Sequence, residues 1–219
     1  MQQRPDNRSG RMVILLIAGI PVTIILAATW LWWFVMRGDL DLVGALGTAN
    51  KGELVQPPRP LPEHALMTAS GAELPWTNSD HQWTLLVAHP GERCAETCER
   101  QLYLTRQIHI ALGKEYHRIR RYYVGDHAPD ATRLDLSALS DDHPVPGSFP
   151  ELLDKEHQGI TAAQVSPETY RALFPETLEA PSTWYLVDPA GWVMMTYDND
   201  DTYKDVISDL KFLLKNSGD

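Results

Sequence analysis

The chain has two cysteines, Cys94 and Cys98, both in the stretch GERCAETCERQLYLTRQ at residues 91 to 107. Their CxxxC spacing is one residue longer than the CxxC of zinc-binding and thioredoxin-type pairs. The residues that follow have helical spacing, and on a helix positions i and i+4 share a face, so both sulfurs point the same way. The partial positive charge of a helix start favours a thiolate at Cys94. Two thiolates on one face can hold a soft ion such as Cu(I), or close into a disulfide. A disulfide that only staples a turn is the plainer alternative, although closing so short a loop removes little entropy from the unfolded chain. The pair flanks the apolar stripe of Leu104, Ile108, Ala111 and Leu112, which puts it at the margin of the core, near the surface.

Which chemistry is open to the pair depends on its compartment. Met12 to Met36 is a run of 25 residues without a charge. As a helix rising about 1.5 Å per residue it is long enough to cross a hydrocarbon core of about 30 Å with some tilt. Pro21 within it is tolerated in a membrane, and Trp30, Trp32 and Trp33 sit at one end as an interfacial belt does. The run is too long for a cleaved signal peptide and continues past the Ala27–Ala28 pair, which makes it an uncleaved anchor.

The flanks give the orientation. Arg4, Arg8 and Arg11 precede the helix against one Asp6, whereas Arg37 is followed by Asp39 and Asp41. The positive-inside rule then puts residues 1–11 in the cytoplasm as a short tail. The rest of the chain projects from a bacterial inner membrane into the periplasm, where disulfides persist. Removing the four basic residues of the tail and Arg37, and the one acid Asp6, leaves 15 basic against 28 acidic residues, a net charge of −13. So acidic a surface argues against nucleic acid as a partner and suits cationic partners or metal ions.

Residues 37–62 read as a stalk, because Pro57, Pro58, Pro60 and Pro62 favour an extended, semi-rigid chain. Residues 63–219 are then enough for one domain with its own core. In it, HQWTLLVAH (81–89) reads as a buried strand ended by Pro90 and Gly91, and a helix follows over 92–116. IRRYYVG (119–125) is a second strand, and SFPELLDKE (148–156) a helix. ITAAQV (160–165) is a third strand. SPETYRALF (166–174) is a helix with Ser as N-cap and Pro in its first turn. STWYLVDPAGWVMMTYD (182–198) reads as a hairpin turning at DPAG, and 201–215 closes the chain as an amphipathic helix. This order describes an α/β, thioredoxin-like sandwich preceded by one transmembrane helix. Met194 and Met195, alternating along a strand, read as packing residues, and Arg118, Arg120 and Arg121 as a solvated strand edge. The sequence contains no GxSxG, HExxH, P-loop or dinucleotide fingerprint, so hydrolase and nucleotide-dependent activities lack a motif.

An anchor, a stalk, a strand–CxxxC–helix unit and a late YLVDPAG strand with a terminal helix resemble the SCO/SenC family. The specific pieces are CAETC (94–98) and WYLVDPAGWVMM (184–195), and NKGELVQPPRPL (50–61) is similar to the stalk of small proteins associated with cytochrome oxidase assembly in proteobacteria. The resemblance implies a membrane-anchored thioredoxin-fold protein that helps deliver copper to cytochrome c oxidase, with respiratory oxidase subunits or their assembly factors as partners. It implies Cys94 and Cys98 as Cu(I) ligands with a histidine shortly before the YLxDP-like strand. Here that stretch reads LEAPSTWYLVDP (178–189) and has no histidine. His89, five residues before Cys94, is the nearest replacement, and His127, His143 and His157 are further candidates. Pro181 stands where thioredoxin has its cis-proline opposite the cysteines. The alternatives are a thiol-disulfide oxidoreductase, with Cys94 as nucleophile, Cys98 as resolving thiol and Pro181 beside them, and a non-catalytic accessory subunit of a respiratory oxidase.

Overall fold

The computed structural model describes residues 7–36, 50–61, 66–76 and 81–216. The first six residues of the tail, with Arg4 and Asp6, lie outside them, as do stalk residues 37–49 and Pro62. The chain divides into two units, Met1–Ala49 and Asn50–Asp219.

In the first unit, α1 (Asn7–Met36) is one helix with Pro21 inside it. Leu15–Trp33 is long and apolar enough to cross a membrane, with a mean hydropathy of 2.1 and none of its residues buried. Thr23 and Thr29 turn their hydroxyls onto the backbone, donating to the carbonyls of Gly19 and Ile25. A polar side chain satisfied by its own helix is compatible with lipid.

The second unit is built on a mixed six-stranded sheet. Its strands are β1 (Glu53–Pro60), β2 (Trp83–His89), β4 (Ile119–Gly125), β6 (Ile160–Gln164), β7 (Trp184–Val187) and β8 (Trp192–Tyr197), in the order β1-β8-β7-β2-β4-β6. β2, β4 and β6 are parallel, and β7, β8 and β1 continue the sheet antiparallel. β2 and β7 are buried along nearly their whole length because both of their faces are covered.

On one face lie α2 (Glu96–Ala111) and α6 (Tyr203–Asn216). Ile108, Val206, Leu210 and Leu214 pack there against Leu85, Ile119, Trp184 and Tyr197. On the other, α4 (Pro167–Leu173) and the short α5 (Glu176–Glu179) set Tyr170 and Leu173 against Leu86, Tyr122 and Tyr185. The expected α/β sandwich is therefore present.

Local chemistry explains the element ends. Ser166 accepts the Thr169 amide at 3.1 Å and caps α4, with Pro167 in its first turn. Ser148 does the same for α3 (Phe149–Glu156). In the β7–β8 turn the Asp188 carboxylate accepts the Trp192 amide at 2.8 Å, and Gly191 sits at φ +92°, a backbone that a side chain would strain.

Two expectations about the sheet need correcting. The Pro-rich segment is extended, but Glu53–Pro60 is an edge strand of the domain, paired with β8, and the compact unit begins at Asn50. Pro57 and Pro58 fall in the register break between Leu54 and Arg59, the place where a strand tolerates residues that cannot donate. Arg59 then ties β1 to α5 through both oxygens of Glu176, at 2.9 and 2.8 Å. Likewise, 119–125 is no solvated edge: β4 lies between β2 and β6, and Arg121 is buried. Met195 is core and Met194 half-buried, as strand alternation requires.

Candidate functional site

The cysteine pair sits where the chain leaves β2. Gly91, at φ +83°, turns the backbone, and its amide donates to the Asp126 carboxylate at 2.7 Å. Arg93–Cys94 then forms the two-residue strand β3, parallel to β5 (Arg133–Leu134). Ala95 is extended, and α2 begins only at Glu96. Cys94 is thus on a strand rather than the helix, and Cys98 lies in the first helical turn. The bend at Ala95 brings their Cα atoms to 5.2 Å, and the two sulfurs form a disulfide.

The expected surface position is not found. Both cysteines are 0% exposed. Val87, Leu102, Tyr123, Leu139, Phe149 and Leu152 enclose them. The cover comes from residues some forty positions later in the chain. It is tied down by the Asp135 amide on the Cys94 carbonyl at 3.0 Å and the Arg133 amide on the Glu92 carbonyl at 2.7 Å. Glu99, next to Cys98 and itself buried, accepts the Ser140 amide at 3.0 Å and the Ser140 hydroxyl at 2.6 Å. Desolvation in this cluster holds the Tyr123 hydroxyl protonated well above the ordinary tyrosine range.

The other candidate residues are scattered. His89 is half-buried and its Nε2 donates to the Arg93 carbonyl at 2.7 Å, one residue from Cys94. A carbonyl only accepts, so the proton is on Nε2 and the lone pair on Nδ1. Burial lowers its pKa, which keeps the ring neutral as a ligand must be. Pro181 is exposed and lies outside the apolar cluster around the disulfide. The Ala180–Pro181 bond is trans, the cis bond among the described residues being Gln56–Pro57. Pro181 touches the cysteine helix indirectly, since Gln101 on α2 donates to the carbonyls of Pro181 at 3.2 Å and Thr183 at 3.0 Å.

His127 is paired with Asp126 at 2.7 Å and His143 with Glu156 at 2.9 Å. Asp141, His143 and Glu156 bring ligand atoms within 4.8 Å of one another, but Arg106 already pairs with both carboxylates.

Sequence reasoning missed Glu99 and Gln101. Their signal is position on the helix: Gln101 falls within the stripe of Cys98, Leu102 and Ile108 and Glu99 at its margin, where polar side chains must find partners inside.

His157 is 1% exposed, and burial, then the charges of Arg106 and Arg121, lower its pKa to about 3. Its folded pKa lies below the unfolded value of about 6.5, so the unfolded chain takes up the proton first on acidification. Stability is therefore complete above about pH 6.5 and is lost as pH falls toward 3, by about 1.4 kcal/mol per pH unit from this group. His89 and His109, lowered by desolvation, act in the same direction. A series of thermal melts between pH 7 and 4.5 should show a steeper loss for the native chain than for His157→Asn. Equal slopes would contradict the assignment.

The family model described as "Transmembrane-like, thioredoxin-like, C-terminal domain" matches residues 83–139 and 128–217. The chain belongs to this family. No curated protein matches the sequence. Yeast Sco1, in a crystal structure with copper bound, is 13% identical and superposes with a TM-score of 0.51, over 78% of this chain and 97% of that one. Apo Sco1 from Thermus thermophilus, a solution structure, is 18% identical with a TM-score of 0.50, over 76% of this chain and 99% of that one. At these identities the likeness is one of fold: the transmembrane-like, thioredoxin-like domain here has the SCO-type architecture.

Proposed function

We propose that this chain is a membrane-anchored assembly factor for a respiratory oxidase, acting through Cys94 and Cys98. The observation that carries the reading is a disulfide joining the end of the β2 turn to the first turn of α2 in a thioredoxin-like fold. Two further features support it: the likeness to copper-bound Sco1, and the apolar span Leu15–Trp33 with arginines before it and acids after it. That charge bias supports a domain outside the cytoplasm, where the pair can cycle.

Reduction of the disulfide takes two electrons and two protons from a thiol reductant and yields two thiols. The reduced sulfurs fit Cu(I), a soft cargo ion, which displaces the thiol protons as it binds. His89 can supply a third donor through Nδ1 while keeping its bond to Arg93. Because the pair is enclosed, the covering segment 133–153 must move aside for cargo or partner to reach it.

Thiol-disulfide exchange with a partner's cysteines is the second reading. It is favoured by the absence of a histidine in 178–189 and by the closed disulfide.

The deciding experiment titrates Cu(I) into the reduced full-length protein in detergent against a calibrated competing chelator. A 1:1 complex that Cys94→Ser abolishes is expected. Binding no greater than that of the variant would sink the copper role, and exchange with a model disulfide would then test the second reading. Oxidase assembly that survives Cys94→Ser with Cys98→Ser would make the protein an accessory subunit and the disulfide a staple.

A further inference from the structure

We infer that a cleft beside the C-terminal end of α3 binds a small phosphate-like oxyanion through Arg121. The inference is independent of the cysteine chemistry. Arg121 sits on β4 in the middle of the sheet, its side chain on the α2 face with Ile119 and Tyr123, and it is 3% exposed. Its Nη2 donates to the carbonyls of His157 at 3.2 Å and Gln158 at 3.1 Å, two acceptors at the end of α3. Its Nη1 is buried and hydrogen-bonds to nothing. Among the described residues no carboxylate pairs with it; the nearby Asp141 and Glu156 are both engaged by Arg106.

A buried cation without a counter-charge costs several kcal/mol, and deprotonation does not relieve it here. Burial lowers the Arg121 pKa only to about 10, so the charge persists at neutral pH.

The surroundings suit an anion. Arg121 lines a cleft of about 290 Å³ with Arg106, Lys155, His109, Tyr116 and Glu156. The acid in that set is already balanced by Arg106 and His143. His109 and Tyr116 form one wall, their rings stacked at 3.8 Å and 2° from parallel. Guanidinium groups present planar, fixed donors that match oxyanions. The volume is at the small end of ligand sites, which fits phosphate or a compact phosphate ester rather than a nucleotide.

The test compares melting of the full-length protein in detergent with inorganic phosphate and with sodium chloride of equal ionic strength, up to about 0.1 M, so that screening is matched. Phosphate is expected to raise Tm by a few degrees in the native chain. Arg121→Met, which removes a buried charge and is expected to fold at least as stably in chloride, should lose that response. If Arg121→Met does not fold, Lys155→Glu decides: it changes an exposed side chain at the rim and should weaken phosphate binding at least tenfold. No phosphate effect on the native chain, or an equal effect on the native chain and the folded variants, overturns the site.

Discussion

Glu99→Ala is expected to make the Cys94–Cys98 disulfide about 10- to 100-fold faster to reduce by a small thiol at neutral pH. A disulfide that is fully enclosed reacts only when its cover opens, so the rate follows the population of the open form. The Glu99 carboxylate joins the cysteine helix to the cover next to Cys98, accepting both the amide and the hydroxyl of Ser140, while Arg106 joins the same helix to Asp141 two turns further on. Hydrogen bonds to a charged group contribute about 1.5–3 kcal/mol, and about 1.4 kcal/mol is a tenfold change in population. Ser140→Ala keeps the amide bond and should raise the rate less than Glu99→Ala. The readout is the rate of thiol release, with global stability followed in parallel by chemical unfolding. A reduction rate unchanged in Glu99→Ala, or changed only as much as global stability accounts for, would show that the cover does not gate the pair. Either functional reading of the cysteines needs that gate, because neither cargo nor a partner thiol can reach sulfurs with no exposed surface.

Asp209→Ala is expected to lower the stability of the Asn50–Asp219 unit by about 3–5 kcal/mol, the largest loss foreseen outside the apolar core. Asp209 is a carboxylate on α6 that is 5% exposed. It accepts the Lys51 amide at 2.8 Å, the Gly52 amide at 3.0 Å and the Tyr197 hydroxyl at 3.1 Å. One side chain thus fastens the entry of β1, the end of β8 and the last helix together. Its removal leaves donors inside the protein without acceptors, and an unsatisfied buried donor costs more than the bond it lost. Close packing leaves little room for water to substitute, since a Cβ at Gly52 would come within 2.5 Å of the Tyr197 ring. Urea unfolding, followed through the Trp184 environment stacked on Tyr197, measures the change. Asp209→Asn, which keeps acceptor capacity on one oxygen, should fall between the two. A loss below about 1 kcal/mol for Asp209→Ala would mean that β1 is held by its pairing with β8 and the Arg59–Glu176 bond without help from Asp209.

Much of this fold was legible locally. The Val/Leu-rich run after Trp83 and the IRRYYVG run became parallel neighbours, and SPETYRALF carried its own cap and its own first-turn proline. The DPAG turn was legible for the same reason: an Asp side chain that can accept the Trp192 amide and a glycine that can adopt positive φ are properties of four adjacent residues. The membrane-length helix and the charges flanking it are equally local.

The candidate site was legible in its chemistry and not in its setting. The two sulfurs and their ability to meet follow from the spacing CAETC. That Cys94 leaves the helix, that both sulfurs are enclosed, and that Glu99 bonds the covering segment depend on β5 and Ser140, about forty residues away. A two-residue strand has no periodicity to read. Arg121 was misread for the same reason. A basic run looks solvated until β6 is known to lie on its outer side, because strand order is decided by remote pairing. Pro57 and Pro58 argued for a free stalk, and only an edge position with a register break allows them in a sheet. By itself the sequence determined the helices, the turns, the membrane-length apolar run and the meeting of the two cysteines, since each is set by contacts within a few residues. The tertiary structure alone decided the edge strand, the buried disulfide and the uncompensated arginine, since burial and strand order depend on segments that meet only when the whole chain packs.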